Sequence, residues 1–360
     1  MRILFVTASN PFDPTSGSRQ RSAHLLNALR QLGEVDILDP IALGEGSWIR
    51  KIFAIPFRKI TKVCRWPSRK LPDIPKGKYD LVVARYLWAA AEIEAWRLGP
   101  CYVDLDDIPI KTFQNVDSRR LPVYLRPVGR ILVEVWQRYC LNKCKGAWVV
   151  NAEELPYIQK LINGRVGLLP NIARGPSANY KVNGQQDLIL MTVGYMGYAP
   201  NGEGIDWFLD NVWMEVYRAY PEMTYCIAGG GAAVDKVNKW GQYPGVKVLG
   251  FVDDLDDLYA KSIAVVAPIL SGAGTCIKVV EAAIHGRKVF VTKVAIRGNE
   301  DLTGAEVFGS KSEFLDKFGQ WLASPVQQRK KEQERIYEYA STRNSYSRFA
   351  ESVNDILLHE

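Results

Sequence analysis

Short apolar, β-branched runs alternate along the chain with longer segments whose apolar positions recur at helical spacing. The first series is RILFVTA at 2–8, VDILDP from 35, DLVVAR from 80, CYVDLDD from 101, GAWVV from 146 and RVGLLP from 165. Runs of this length between helix-period segments predict a parallel sheet with crossover helices. The rhythm stops at Pro170 and Asn171, where the polar stretch NIARGPSANYKVNGQQ intervenes and reads as an interdomain linker. A second series follows: LILMTVG from 188, TYCIAGG from 224, VKVLGF from 246, IAVVAPI from 263, KVFVT from 288 and AEVF from 305. The pattern predicts an α/β chain of two Rossmann-like, doubly wound parallel-sheet domains facing a cleft, the first over 1–170 and the second over 171–339. The tail from Ser324 is helical in composition, with charged residues dominating its first half.

Composition supports two cores: 360 residues with 47% hydrophobic side chains exceed one ordinary domain. The apolar run at the amino terminus breaks at Asn10 and Pro11, too short for a signal peptide or a membrane span, so a cytoplasmic location is the expectation. Six cysteines lack Cys-x-x-Cys spacing, and Cys140 and Cys144 stand one helical turn apart with no histidine beside them, so all are read as reduced thiols. The formal charge of +7 suits an anionic partner, but nucleotide, phospholipid, membrane surface and nucleic acid all satisfy it.

The densest local signal is PILSGAGTCIKVVEAAIHGRKVFVT at 268–292, which reads as strand end, glycine turn, helix and next strand. Gly272 and Gly274 let the backbone approach a ligand, and Thr275 can cap the helix. Ile277, Val280 and Ile284 form the stripe that packs on the sheet, and Gly286 can end the helix. Lys278 and Glu281 share a neighbouring face near the helix start. A lysine there opposes the helix dipole unless an anion is bound, as a diphosphate would be, and Glu281 can then accept from ribose hydroxyls. A surface Lys–Glu pair on a helix that only packs is the competing reading.

On these residues the chain resembles the retaining GT-B glycosyltransferases of family 4. Their second domain carries a stretch like P-x-x-x-G-x-G-T-x-x-K-x-x-E-A, on which Pro268, Gly272, Gly274, Thr275, Lys278, Glu281 and Ala282 fall. VGYMGYAPNGEGIDWFLDNVW from Val193, YCIAGGG and VLGFVDDLDDLY resemble the family's other strand-to-loop transitions. The resemblance implies a GT-B fold whose last helix, about 340–360, packs back on the first domain. It implies that Lys278 contacts donor phosphates and Glu281 the ribose, that Gly194 and Tyr195 line the donor site, and that the loops at Gly229 and Gly230 and at Phe251 and Val252 surround the base. The donor would be a nucleotide-diphosphate sugar of UDP or GDP type, with no further cofactor. One departure is Ala273, where many members have a second glutamate that touches the sugar.

In the first domain, NPFDPTSGSRQRSAHLLNALRQLG leads from a glycine turn into a helix that buries Leu25, Leu26, Leu29 and Leu32 and stops at Gly33. Arg19 and Arg21 in its opening turn again suit an anion. The resemblance makes Gly17 and Arg19 candidates for contacting the donor diphosphate; a solvated basic turn is the alternative. Asp104, Asp106 and Asp107 end the strand CYVDLDD, where an open α/β sheet places its crevice. One of them, with Asp106 the candidate, can orient or deprotonate an acceptor hydroxyl, although helix capping explains them equally well. Many family members have a histidine in this neighbourhood, whereas His24, His285 and His359 lie elsewhere in this chain. DDLDD at 253–257 is assigned to helix capping rather than to a metal, and no metal is expected.

The segment 48–72 carries eight lysines and arginines, no acid, and Trp48, Phe53, Phe57 and Trp66. It suits contact with an anionic membrane surface, and equally a basic helical excursion packed on its own domain; no nucleic-acid motif accompanies it. The leading expectation is sugar transfer to a lipid-linked or cell-surface glycan precursor at a membrane face. A nucleotide-sugar epimerase of the same fold, or a membrane-associated scaffold without catalysis, are the alternatives.

Overall fold

The computed structural model describes residues 1–13, 17–41, 75, 77–115, 122–178, 180–182, 187–272 and 275–358. The basic segment 48–72, Ala273, Gly274 and His359 lie outside the described residues. Two compact units share the chain: Met1–Pro170 with Gly272 and Tyr346–Glu360 in one, Asn171–Ser271 with Thr275–Ser345 in the other.

The first unit is built on β1 (Arg2–Val6), β2 (Glu34–Leu38), β3 (Leu81–Arg85), β4 (Cys101–Leu105), β5 (Gly146–Val149) and β6 (Arg165–Leu168), in the order β2-β1-β3-β4-β5-β6 with every pairing parallel. Parallel strands need crossovers that cover both faces, so their interiors are continuously apolar. β3 shows this as LVVAR, buried at every position. The covering helices are α1 (Gly17–Leu32), α2 (Leu87–Glu92), α3 (Pro109–Asn115), α4 (Arg126–Leu141) and α5 (Leu155–Gln159), together with the chain's last helix described below. α1 buries Leu25, Leu26, Ala28 and Leu29, the face that its leucine spacing predicts; the expected fourth member, Leu32, is only half-buried.

The second unit has β7 (Ile189–Val193), β8 (Thr224–Ala228), β9 (Val246–Gly250), β10 (Ala264–Ala267), β11 (Val289–Val291) and β12 (Ala305–Val307), ordered β12-β11-β10-β7-β8-β9 and again parallel throughout. Its helices are α6 (Ala199–Phe208), α7 (Met214–Ala219), α8 (Val234–Gly241), α9 (Asp256–Lys261), α10 (Ile277–Ile284), α11 (Lys311–Ala323) and α12 (Val326–Arg343). One apolar core centres on α10 and the other on Phe208, Trp213, Phe290 and Phe314. The chain then returns to the first unit as α13 (Tyr346–Leu358), whose Ile356 lies where a side chain on Gly167 of β6 would fall and whose Ser352 carbonyl accepts from Trp148 Nε1 at 3.2 Å.

Each sheet reverses its winding once, between β1 and β3 in the first unit and between β7 and β10 in the second. Open α/β sheets bind ligands beyond the carboxyl ends of the strands at that reversal. The chemistry-bearing residues of both units gather there.

Candidate active site

In the second unit the loops after β7, β8 and β9 are laced together by backbone hydrogen bonds. Gly194 N donates to Ala228 O (3.0 Å), Met196 N to Gly230 O (2.8 Å) and Gly229 N to Gly250 O (2.6 Å). This closeness depends on glycine. A Cβ on Gly229 (φ +141) would stand 1.7 Å from the Gly194 carbonyl oxygen, and one on Gly231 (φ +88) 2.3 Å from the Tyr195 ring. Tyr195 is nevertheless 57% exposed and Phe251 62% exposed, so two aromatic faces border these loops. Val252 is half-buried against the core.

α10 brings the ionisable groups to the same place. Its Val279, Val280, Ala282, Ala283 and Ile284 are buried, which fixes its rotation, and Gly286 (φ +67) ends it. Thr275 does not cap it, contrary to expectation: the helix starts one residue later than the capping pattern requires, Cys276 holds the cap position without a side-chain bond, and the Thr275 hydroxyl accepts from Asn171 Nδ2 at 2.6 Å. Lys278 is 9% exposed and donates to Asn201 Oδ1 at 2.6 Å, while Asn201 Nδ2 donates to the Tyr195 carbonyl at 2.7 Å. The ammonium also stands 2.8 Å from where a Cβ on Gly194 would be. Burial pushes the Lys278 pKa down. Glu281 is partly exposed, and its pKa is raised to about 7 by burial, against the opposing pull of Lys278 and the Tyr259 hydroxyl. Among the described residues Lys278 has no ion-pair partner, so the Lys–Glu surface pair is not what forms.

The structure thus brings Gly194, Tyr195, Gly229, Gly230 and Lys278 into one neighbourhood, with Glu281 on the same helix. Gly272 is buried with φ +135. His285 is turned inward: its ring stacks on Tyr259 at 4.1 Å and its Nε2 meets Asp256 Oδ1 at 3.0 Å. Asp256 of the acidic run also accepts from Ser177 N at 2.8 Å, and Asp254 accepts from the Asp256 N–H at 2.9 Å. Among the described residues no group of three or more His, Cys, Asp or Glu side chains is placed to hold a metal ion.

In the first unit the winding reversal is occupied by a buried polar knot. Arg21 of α1 grips Asp104 with Nε at 2.8 Å and Nη2 at 2.6 Å, and also donates to the Leu169 carbonyl at 3.0 Å. Arg85 at the end of β3 donates to Asp106 at 2.8 Å and to the Tyr86 hydroxyl at 2.7 Å, which shares a hydrogen bond with Ser18 at 2.8 Å. Burial alone would lower the Arg85 pKa, but Tyr86, Asp106 and Asp104 together raise it above the usual value. Tyr86 holds φ +71, a left-handed conformation for a bulky residue, and its hydroxyl pKa is pushed up to about 12 by burial first. Asp107 is raised to about 7, by burial and then by the charge of Asp106. Asp106 is therefore an ion-pair partner of Arg85, and Asp104 is fully buried between two arginines. Gly17 opens α1, and Arg19 pairs with Asp13 on the surface.

Sequence reasoning missed Arg85, Tyr86 and Asn201. Asn201 had a signal: an amide in the first turn of α6, just after Pro200, is a poor helix former kept for its hydrogen bonds. Arg85 ends an apolar strand, and its acidic partners, Asp104 and Asp106, lie about 20 residues on, so nothing in its own segment marks it as an ion-pair member. A cavity of about 460 Å³ lined by Tyr102, Lys145, Arg165 and Ile356 lies at the amino-terminal ends of the strands of the first sheet, the opposite end from the polar knot of that unit.

The two doubly wound sheets define the class. The fold is that of the GT-B glycosyltransferases: sucrose-phosphate synthase from Thermosynechococcus elongatus matches with a TM-score of 0.69 at 12% identity over 99% of this chain and 98% of that one. HepE of Anabaena, described in complex with UDP-glucose, matches with a TM-score of 0.64 at 14% identity over 99% of both chains. WaaG, described as a glycosyltransferase involved in lipopolysaccharide biosynthesis, gives 0.64 at 14% identity over 99% of this chain and 100% of that one. Residues 187–323 match the family described as Glycosyl transferases group 1. Residues 187–323 thus carry a group 1 glycosyltransferase domain within a chain of GT-B fold, and these matches support a transferase. No curated protein matches the chain.

Proposed function

We propose that the second unit binds the diphosphate of a nucleotide-sugar, UDP- or GDP-type, and that the chain transfers the sugar with retention to a lipid-linked or cell-surface glycan precursor at a membrane face. The carrying observation is Lys278, a buried ammonium without an ion-pair partner among the described residues, in the first turn of α10. A buried charge is costly unless it is compensated, and a cation at a helix start is opposed by the dipole; an anion at that place resolves both. Only one of its three donors is taken by Asn201. Charge accumulating on a departing nucleoside diphosphate would be stabilised by this ammonium and by the glycine-loop backbone, which is where electrostatic catalysis acts.

Support for the nucleotide also comes from HepE, whose structures are described with UDP and UDP-glucose. Glu281, beside the same loops, suits the ribose hydroxyls, and Tyr195 and Phe251 suit the base. Arg19 and Gly17 remain proposed contacts to the diphosphate, and Asp106 a proposed acceptor-side group acting through its pair with Arg85. The membrane face and the lipid-linked acceptor rest on the family resemblance. No described helix is long and apolar enough to cross a membrane.

Calorimetric titration of the full chain with UDP, GDP and ADP tests the donor site. One of them is expected to bind selectively, and Lys278→Ala to weaken it by about 100-fold, within the range for losing a charged contact to a charged ligand. Glu281→Ala is expected to cost about tenfold through lost ribose hydrogen bonds. Folded protein that binds no nucleotide would refute the reading. Retention is checked separately, from the anomeric configuration of the product by NMR.

A further inference from the structure

Beside Glu281 the second unit holds a buried aromatic stack. Tyr259 of α9 is fully buried, and its ring lies on that of His285 with centroids 4.1 Å apart and planes 19° from parallel. The Tyr259 hydroxyl is buried without a hydrogen-bond partner among the described residues, and the charged group that acts on it most is the Glu281 carboxyl. Burial first, and then that carboxyl, push the hydroxyl pKa well up, so the group keeps its proton and can only donate to a carboxylate. A buried hydroxyl left unbonded is destabilising, and a phenylalanine would fill the same space without that loss. The packing of the stack therefore has no use for this oxygen, whereas Glu281 has.

The stack is held from its other side. His285 Nδ1 meets the Glu281 carbonyl at 2.7 Å and Nε2 meets Asp256 Oδ1 at 3.0 Å, while Asp256 Oδ2 accepts from Ser177 N at 2.8 Å. Tyr180 closes edge-on over the imidazole at 5.1 Å and donates to the His285 carbonyl at 2.7 Å. The imidazole is thus held at both nitrogens, and Tyr259, stacked on it, is held in turn. A donor fixed in this way loses little freedom on meeting an acceptor. An ionised carboxylate has about four acceptor positions, enough to take Tyr259 and two ribose hydroxyls together.

We propose that Tyr259 is a positioning residue for the donor ribose: its hydroxyl donates to the Glu281 carboxylate from within the protein and leaves the remaining acceptor positions aimed at the nucleotide, with His285 and Asp256 bracing the ring. The proposal rests on Glu281 binding the ribose, as in the proposed function, and adds the group that orients it. Tyr259 touches Glu281 and not the nucleotide, so its effect exists only while Glu281 and the ribose hydroxyls are both present.

The test is calorimetric titration of the full chain with UDP, or with GDP where that is the nucleotide it binds, for wild type, Tyr259→Phe, Glu281→Gln and the double variant. Tyr259→Phe is expected to weaken binding about tenfold, the scale of one hydrogen bond to a charged group, with an unchanged denaturant midpoint. In the Glu281→Gln background the same change is expected to cost less than twofold, which is the coupling that a double-mutant cycle reads. With the 2′,3′-dideoxy form of the nucleotide, which has no ribose hydroxyls, Tyr259→Phe and wild type are expected to bind alike. The assignment is overturned if Tyr259→Phe binds the ordinary nucleotide as wild type does. It is equally overturned if the loss is the same with Glu281→Gln or with the dideoxy nucleotide, since the tyrosine would then act through packing. Wild type that binds neither UDP nor GDP removes the donor reading itself, and this proposal with it; wild type that binds while Tyr259→Phe is without effect removes this proposal alone.

Discussion

Lys278 and Glu281 stand three residues apart on one helix, yet burial moves them in opposite directions in charge: it lowers the lysine pKa and raises that of the glutamate to about 7. Both shifts favour the neutral forms of an unliganded site. A ribose whose hydroxyls donate to Glu281 favours the carboxylate, so nucleotide binding would expel a proton wherever Glu281 is protonated beforehand. The sign follows: affinity should rise with pH up to about 7 and level off above it. Because the diphosphate itself titrates in this range, the informative quantity is the ratio of wild-type affinity to that of Glu281→Gln. This ratio is expected to fall roughly tenfold for each pH unit below about 7. A ratio independent of pH between 5.5 and 8 would remove Glu281 from the nucleotide contacts. Folding responds with its own sign. Glu281 ionises more readily in the unfolded chain, so it contributes stability that is present below its unfolded value of 4.5 and is lost as pH rises through about 7.

At the scale of elements, the glycines after β7 and β8 differ in what they make room for. A side chain on Gly229 meets the backbone carbonyl of Gly194, which cannot move without unzipping the loop ladder, whereas one on Gly194 meets the far end of Lys278, which can swing. Gly229→Ala is expected to cost about 3 kcal/mol or more in denaturant unfolding, from strain at positive φ plus overpacking. Gly194→Ala is expected to fold with a smaller loss while weakening UDP binding by displacing the ammonium; equal losses of stability for the two would contradict this division. The strands themselves were legible: eleven of the twelve lie within an apolar run read from the sequence and β2 starts one residue before its run, and the central strands stand out because strands covered on both faces must be apolar throughout. The lysine and glutamate of α10 were legible for the same reason as the strands, since a charged pair inside an otherwise apolar helix stands out. The Arg21–Asp104 grip was not legible. Its partners are 83 residues apart, and nothing local distinguishes a buried arginine from a solvated one. The Thr275 cap failed for a related reason, because its hydroxyl is drawn to Asn171 across 104 residues instead of to its own helix.

For the whole molecule, chain order and unit membership disagree at the carboxyl terminus. α12 belongs to the second unit, and after Ser345 the chain crosses to complete the first. α13 buries Phe349, Ala350, Val353 and Ile356 there, lies 5.9 Å from the His24 ring through Phe349, and supplies the acceptor for Trp148 Nε1. Removing it would expose the fully buried Trp148 and orphan its N–H. At about 1.5–3 kcal/mol per large apolar side chain uncovered, the loss approaches the 5–15 kcal/mol that a domain has in total. A chain ending at Ser345 should therefore keep the second unit and lose the first. In limited proteolysis, residues 187–323 would survive while the region before Pro170 is digested, and UDP binding by the second unit would persist if its determinants lie wholly there. Supplying residues 346–360 as a separate peptide should restore protection of the first unit in proportion to its concentration, as mass action requires for a piece that binds only the folded form. If the shortened chain resists digestion as the full chain does, α13 is an ornament on a unit that is stable without it. If restoration occurs, the first unit cannot be complete until α13 has been made, and its folding is tied to a helix far along the chain although all six of its strands lie within the first half.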